Sequence, residues 1–326
     1  MHEEIKRSIY AKIKEADTVI LCRHIRPDGD ALGSTLGFKA MLEASFPCKK
    51  IFIERDDENE TLGFIGDEGP LPSDGDFKDA LVIVLDTSEE KRVSSKRFLT
   101  AKTVAVIDHH IKQGDLGDFM LIDEKCNSVC EIITDFWKTF DDELVLTKHA
   151  AECLFTGIVT DTGRFKFRGT SARTLRLSAY LLEKGVDYQT IYNNIDIKDY
   201  KVISDEAYLM KRIKLTGSGV AYIRITREIF DELNLTGQTA SDSVTLMESI
   251  KGSLIWLVLI DNDDGSIRAR IRSRFVEIEP VARKYNGGGH ACASGATLYS
   301  EDEAGSLLND LDSLLKAYKS ENPDRF

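Results

Sequence analysis

Short β-branched runs at 18–21, Leu81–Leu85 and 103–107 each break off abruptly into polar residues. Such continuous apolar runs read as strands of a parallel sheet, which is covered on both faces and so lacks alternation. Lys50–Glu54 reads as a further strand. Between the runs lie stretches with helical periodicity at residues 3–16, 30–45, 127–140, 147–160 and 171–184. Alternating strand and helix predicts an α/β domain doubly wound around a mostly parallel sheet, over residues 1–186. The acidic stretch 54–75, rich in Asp, Glu and Gly, reads as a solvated surface connection.

After residue 186 the pattern changes. Residues 187–213 are polar and helix-rich without clear strands, which suits a linker or hinge. Strands follow at 219–225, 254–260 and 266–272, the last two separated by the hairpin signal Asp261-Asn262-Asp263-Asp264-Gly265. With helices at 279–284 and 304–319, residues 214–326 read as a smaller α+β domain, and a cleft is expected between the two domains.

A length of 326 residues accords with two domains. The net charge of −12 disfavours coating of long nucleic acids and leaves room for a small phosphorylated substrate. None of the six cysteines forms a C-x-x-C pair, so a thiolate zinc site is not expected. The longest apolar run, 253–260, is too short to span a membrane, and Met1 to Lys6 shows no apolar leader. A cytoplasmic enzyme is the expectation.

The polar runs carry the chemistry. They are His24-Ile25-Arg26-Pro27-Asp28-Gly29-Asp30, then Asp86, then Asp108-His109-His110, joined by Asp161 in Thr160-Asp161-Thr162-Gly163. Open α/β sheets bind ligands at the carboxyl ends of their strands, where the first three runs fall. Taken singly, each residue has an ordinary alternative, such as an aspartate capping a helix. Together, Asp28, Asp30, Asp86 and Asp161 would repel one another unless cations neutralised them. Imidazole with carboxylate and no thiolate favours a pair of divalent ions, Mn²⁺ foremost. Such a pair activates water and stabilises in-line displacement at phosphorus.

A second motif is Asn286-Gly287-Gly288-Gly289-His290, whose glycines let backbone amides approach an anion. Upstream, Arg268, Arg270, Arg272 and Arg274 share one face of a predicted strand. A solvated strand face would explain the arginines alone; with the glycine turn they fit a phosphate or nucleotide clamp better.

These motifs resemble the DHH phosphoesterase family, named for Asp108-His109-His110. Its other motifs match His24 to Asp30, Leu85-Asp86 and Gly157 to Gly163. The resemblance implies one metal held by His24, Asp28 and Asp86 and a second held by Asp30, Asp86, His109 and Asp161, with Asp86 bridging. It implies that His110 faces the substrate phosphate and that Asp108 orients a histidine of the pair. Arg272, Ser273 and Gly287 to His290 resemble the DHH-associated second domain, where Arg270 joins them as a substrate contact. Arg164 and Arg168 are further candidate contacts.

Within the family, the length and the Thr160 to Phe165 run resemble small bacterial enzymes that degrade very short oligonucleotides. Those enzymes also remove the 3′-phosphate of 3′-phosphoadenosine 5′-phosphate (pAp). The acidic net charge accords with substrates of about two to five nucleotides. A phosphodiesterase for linear or cyclic dinucleotides is the alternative. A non-catalytic nucleotide-binding protein would be expected to lack a ligand of the set, and none is missing. The resemblance also allows a homodimer and involves no membrane partner.

Overall fold

A computed structural model describes residues 2–56 and 60–323. The chain divides after Ile197 into two compact units. The first holds a five-stranded, all-parallel sheet in the order β2-β1-β3-β4-β5. Its strands are β1 (Thr18–Cys22), β2 (Lys50–Glu54), β3 (Leu81–Leu85), β4 (Thr103–Asp108) and β5 (Phe119–Ile122). Its helices are α1 (His2–Glu15), α2 (Gly29–Ser45), α3 (Asp74–Phe77), α4 (Val129–Thr139), α5 (Lys148–Asp161), α6 (Ala172–Leu182) and α7 (Tyr188–Asp196). Both sheet faces are covered, which is why β3 is buried at every position. One face packs Leu21, Ile83 and Ile107 against the long helices, including Phe38 and Met41 of α2 and Phe136 of α4. The other buries Ile20, Val82, Val84 and Val106 under Phe77 of α3 and Phe98.

The strand order places the site. From β1 the chain goes out to β2 and then crosses to β3 on the other side of β1. The gap between the carboxyl ends of β1 and β3 is therefore the switch point at which such sheets bind ligands. His24 follows β1 and Asp86 follows β3, so both stand at that gap.

Helices α2 and α5 pass unusually close. A Cβ at Gly29 would lie 2.3 Å from the Thr160 hydroxyl, and one at Gly33 would lie 2.5 Å from the Cys153 carbonyl oxygen. At Gly37 it would lie 2.8 Å from the Leu154 side chain. Spaced four apart, these glycines form one bare stripe along α2, and α5 lies in it. That contact carries Asp28 and Asp30, at the start of α2, to Asp161 at the end of α5.

The acidic stretch 54–75 is not merely a solvated connection, although its residues 57–59 lie outside the described residues. Glu68 accepts from the fully buried Arg23 at 2.6 Å and from Arg55 at 2.6 Å. A buried guanidinium needs such a partner, so this carboxylate pins the segment beside the end of β1. Strand β5 was also not read from the sequence, because Phe119–Ile122 has only one fully buried residue and no alternation.

The second unit is a six-stranded mixed sheet in the order β10-β11-β9-β8-β7-β6, antiparallel except for β7 with β8. Its strands are β6 (Lys214–Leu215), β7 (Ala221–Ile225), β8 (Ile255–Asp261), β9 (Ile267–Ser273), β10 (Gly288–His290) and β11 (Ala293–Leu298). Its helices are α8 (Tyr200–Met210), α9 (Arg227–Glu232), α10 (Gly237–Asp242), α11 (Glu279–Arg283) and α12 (Glu301–Glu321). One face packs on Leu307, Leu311 and Leu315 of α12, and the other on Leu209 of α8 with Ala240 and Met247. No described helix is long and apolar enough to cross a membrane.

Candidate metal centre

The turn after β1 sets the first ligand-type side chains. Arg26 takes a left-handed backbone (φ 55°), and the Asp28 carboxylate accepts from the Asp30 and Ala31 amides at 3.1 Å, capping α2. The His24 Nδ1 lies 2.8 Å from the Ile25 carbonyl oxygen. Nδ1 therefore donates to that carbonyl, and Nε2 faces the cluster. Asp30 is fully buried, and its two oxygens accept from the Val129 amide at 2.6 Å and the Cys130 amide at 2.9 Å. Those are free amides of the first turn of α4, which favours a negative charge there.

Asp86 lies at the centre. It is 1 % exposed and holds φ 64°, a strained backbone for a residue other than glycine. His24 Nε2 is 3.3 Å from its Oδ2, and His109 Nε2 is 3.4 Å from its Oδ1. His109 Nε2 is also 3.5 Å from Asp161. Three sets of side chains could each close on one ion: His24, Asp28 and Asp86; Asp30, His109 and Asp161; and Asp86, His109 and His110. His110 Nδ1 lies 2.8 Å from the buried Asp108 and 3.6 Å from Asp86. Among the sequence-predicted metal residues, all six of His24, Asp28, Asp30, Asp86, His109 and Asp161 are thus brought together.

The electrostatics show why cations fit. Burial, and then the Asp86 charge, push Asp30 up to about 7. Burial, and then Asp30 and Asp86, push Asp161 up to about 9. Burial works to lower the two histidines, but their carboxylate neighbours outweigh it and raise His24 and His109 to about 10. Burial works to raise Asp108, yet its bonds from His110 hold it below the usual carboxylate range. Without cations the cluster is held together by protons. Two of its buried atoms, His24 Nε2 and Asp86 Oδ1, still have no hydrogen-bond partner. Unpartnered ligand atoms inside a ring of carboxylates suit hard or borderline divalent ions.

Cation binding must then expel protons, since ligands coordinate only when deprotonated. Adding Mn²⁺ to metal-free protein in weak buffer at about pH 7 is expected to acidify the solution, and affinity is expected to rise with pH up to about pH 10. An affinity that does not change with pH would show that the ion binds elsewhere.

The second unit aligns its own candidates. In β11, Ala293 is opposite Arg272 of β9 on one side and His290 of β10 on the other. Gly295 likewise lies between Arg270 and Gly288. Arg272 and His290 therefore project from one face, two strands or about 9–10 Å apart, over small residues. A Cβ at Gly288 would meet nothing within 4 Å, whereas at Gly287 it would lie 2.0 Å from the Gly295 carbonyl oxygen. At Gly289 (φ 140°) it would lie 2.6 Å from the Ala293 carbonyl oxygen of β11. Gly287 and Gly289 are thus required by packing, and Gly288 leaves open space. Two candidates are otherwise engaged: Ser273 donates its hydroxyl to the Val276 carbonyl, and Arg164 ion-pairs with Asp196.

Sequence reasoning missed the glycines that build the centre. At Gly157 of α5 a Cβ would lie 2.2 Å from Cys130 Sγ and 3.0 Å from Asp30 Oδ1. The four-residue spacing of Gly29, Gly33 and Gly37 was the available signal.

Residues 18–158 match the family model described as DHH family, N-terminal domain, and residues 217–317 match the DHHA1 domain. A Streptococcus mutans protein named as a probable bifunctional oligoribonuclease and PAP phosphatase, NrnA, is 36 % identical over 95 % of this chain and 99 % of its own length. Its Bacillus subtilis counterpart is 33 % identical over 97 % of this chain and its full length. A crystal structure of an exopolyphosphatase-related protein from Bacteroides fragilis shares the fold, with a TM-score of 0.81 and 24 % identity over 96 % of this chain and 98 % of that one. The matched segments take in the turn after β1, Asp86, the Asp-His-His run and the glycine-rich strand β10, and the chain belongs to the DHH family.

Proposed function

We propose that this chain is a phosphoesterase that hydrolyses very short oligonucleotides to mononucleotides and removes the 3′-phosphate of pAp to leave AMP. The observation that carries the reading is the convergence on Asp86 of ligand sets able to hold two ions. The names of its relatives at 36 % and 33 % identity supply the substrate class.

In this reading His24, Asp28 and Asp86 hold one divalent ion, and Asp30, Asp86, His109 and Asp161 hold the other, with Mn²⁺ the favoured metal. When bound, the ions supply Lewis acidity, lowering the pKa of water and offsetting charge on the phosphoryl oxygens. Asp108 accepts from His110 Nδ1 and fixes the ring, leaving Nε2 of this half-exposed side chain to face the phosphate, to which it donates in the imidazolium form. Arg270, Arg272 and His290, with the open backbone at Gly288, bind the nucleotide's anionic groups. Ser273 and Gly287 support that strand pair, and Arg164 contributes only where its bond to Asp196 opens. Residues 187–213, where the chain passes from one unit to the next, serve as the hinge between catalytic and substrate-binding domains.

The test is phosphate and mononucleotide release from pAp, a dinucleotide and a long single strand, with Mn²⁺ or with chelator. Metal-dependent turnover of pAp and the dinucleotide, with the long strand slow, is expected. Turnover of the dinucleotide alone would point to dinucleotide signals as the substrate. No turnover with metal bound and the fold intact would leave a nucleotide-binding protein.

A further inference from the structure

The metal centre occupies one side of α5. Another side of that helix, with the turn that follows it and α7, forms a cavity of about 640 Å³ that nothing above employs. Its walls are aromatic: Phe155, Phe165, Tyr188 and Tyr192. The Phe155 and Phe165 rings stand 6.2 Å apart at 57°. Two carboxamides, Gln189 and Asn193, line the same cavity one helical turn apart on α7. Among the described residues neither carboxamide has a hydrogen-bond partner, and the hydroxyls of Tyr188 and Tyr192 have none either.

Phe165 is delivered by an unusual turn. Gly163, Arg164 and Phe165 are left-handed in succession, with φ of 55°, 61° and 62°. Non-glycine residues hold that conformation only where their surroundings demand it. Arg164 pairs with Asp196 at the end of α7, so the turn and the helix are tied together across the cavity's edge. The Arg164 charge also acts on the Tyr192 phenol, against the burial that raises it.

We propose that this cavity is a nucleobase-binding pocket, which takes the base of a mononucleotide at a place separate from the metal centre. A planar base stacks on aromatic faces. Carboxamides match the paired donor and acceptor on a base edge, as Asn and Gln do with adenine. The volume lies within the range of small-ligand sites, roughly 300–1,000 Å³. A purely apolar occupant would cover both carboxamides and leave them unpaired, which favours a flat ligand with a polar edge. The product class of the proposed reaction is then a ligand at two places, and the pocket stands whether or not that reaction does.

Photolabelling the full, metal-free chain with 8-azidoadenosine monophosphate tests this. The label is expected in the peptide spanning residues 188–193, to be displaced by AMP, and to resist ribose 5-phosphate, which has no base. The double variant Gln189→Ala/Asn193→Ala changes only exposed side chains and should weaken AMP competition there by about tenfold or more, through loss of the hydrogen bonds to the base edge. Its circular dichroism spectrum and Tm, equal to those of the parent, would report an intact fold. Label confined to other peptides, or displaced equally by ribose 5-phosphate, would overturn the proposal. So would a shift of the unliganded variant toward a smaller species in sedimentation, because a second copy of the chain would then be what covers the pocket. A wild type that fails to hydrolyse pAp and dinucleotides, yet labels as expected, would remove the proposed reaction and leave the pocket.

Discussion

Asp86→Asn is expected to abolish turnover while leaving the metal-free chain folded. Asparagine matches aspartate in shape and tolerates the left-handed backbone seen at this position. What it removes is the charge common to two of the ion-holding sets. Charge stabilisation by a bound ion supplies several kcal/mol to the transition state, so a loss on the order of 10³-fold or more in kcat is expected. The stability sign follows from the neighbours. The Asp86 charge helps to raise Asp30 to about 7 and Asp161 to about 9. A carboxyl raised in the folded state destabilises that state as pH rises above its unfolded value. Removing the Asp86 charge relieves this above about pH 4. The same charge raises His24 and His109, which stabilises the fold until they lose that proton at about pH 10, so a scan in chelator should show a higher Tm only at about pH 10 and above. Collapse of the fold in chelator would mean that the cluster is structural.

Gly157→Ala is expected to damage the centre without touching any ligand. The added methyl would lie 2.2 Å from Cys130 Sγ and 3.0 Å from Asp30 Oδ1. Overpacking of this kind costs about 1–3 kcal/mol, or roughly 2–12 °C in Tm for a unit of this size. The functional loss should be larger than the stability loss, because what must move is the carboxylate that α4 holds by two amides. Metal affinity should fall before the fold does. Cys130→Ala in the same chain should return part of the stability, and that coupling would show in a double-mutant cycle. Additive effects would mean that α5 moves away rather than pressing on Cys130.

The strands that carry ligands were legible because each is an apolar run cut off by polar residues. The parallel sheet buries both faces, so β1, β3 and β4 announce themselves by composition alone. The ligand types were legible because carboxylates and imidazoles have few other reasons to cluster at strand ends. The glycines of α2 and α5 were not. A glycine that permits close approach looks in a sequence like a weak helix position, and its meaning depends on the partner helix. Ser273 and Arg164 show what a sequence leaves open. Their side chains suit a phosphate contact, but each is satisfied locally, by the Val276 carbonyl and by Asp196. Glu68 was hidden for a third reason, since its value comes from the fully buried Arg23, far away in sequence.

The order of the sheet has a kinetic consequence. The ligand-type side chains come from the ends of β1, β3, β4 and α5, so neither of the two ion-holding sets that draw on the turn after β1 exists until β1 has paired with β3 across the whole excursion through β2. Parallel pairings between distant segments form late and slowly. The chain must therefore bring its carboxylates together before any cation can reward it. A cation that recognises only the finished arrangement leaves the folding rate nearly alone and slows unfolding instead. A bound metal would act as a latch on a structure already closed, and its loss would show first as a shorter lifetime of the folded chain.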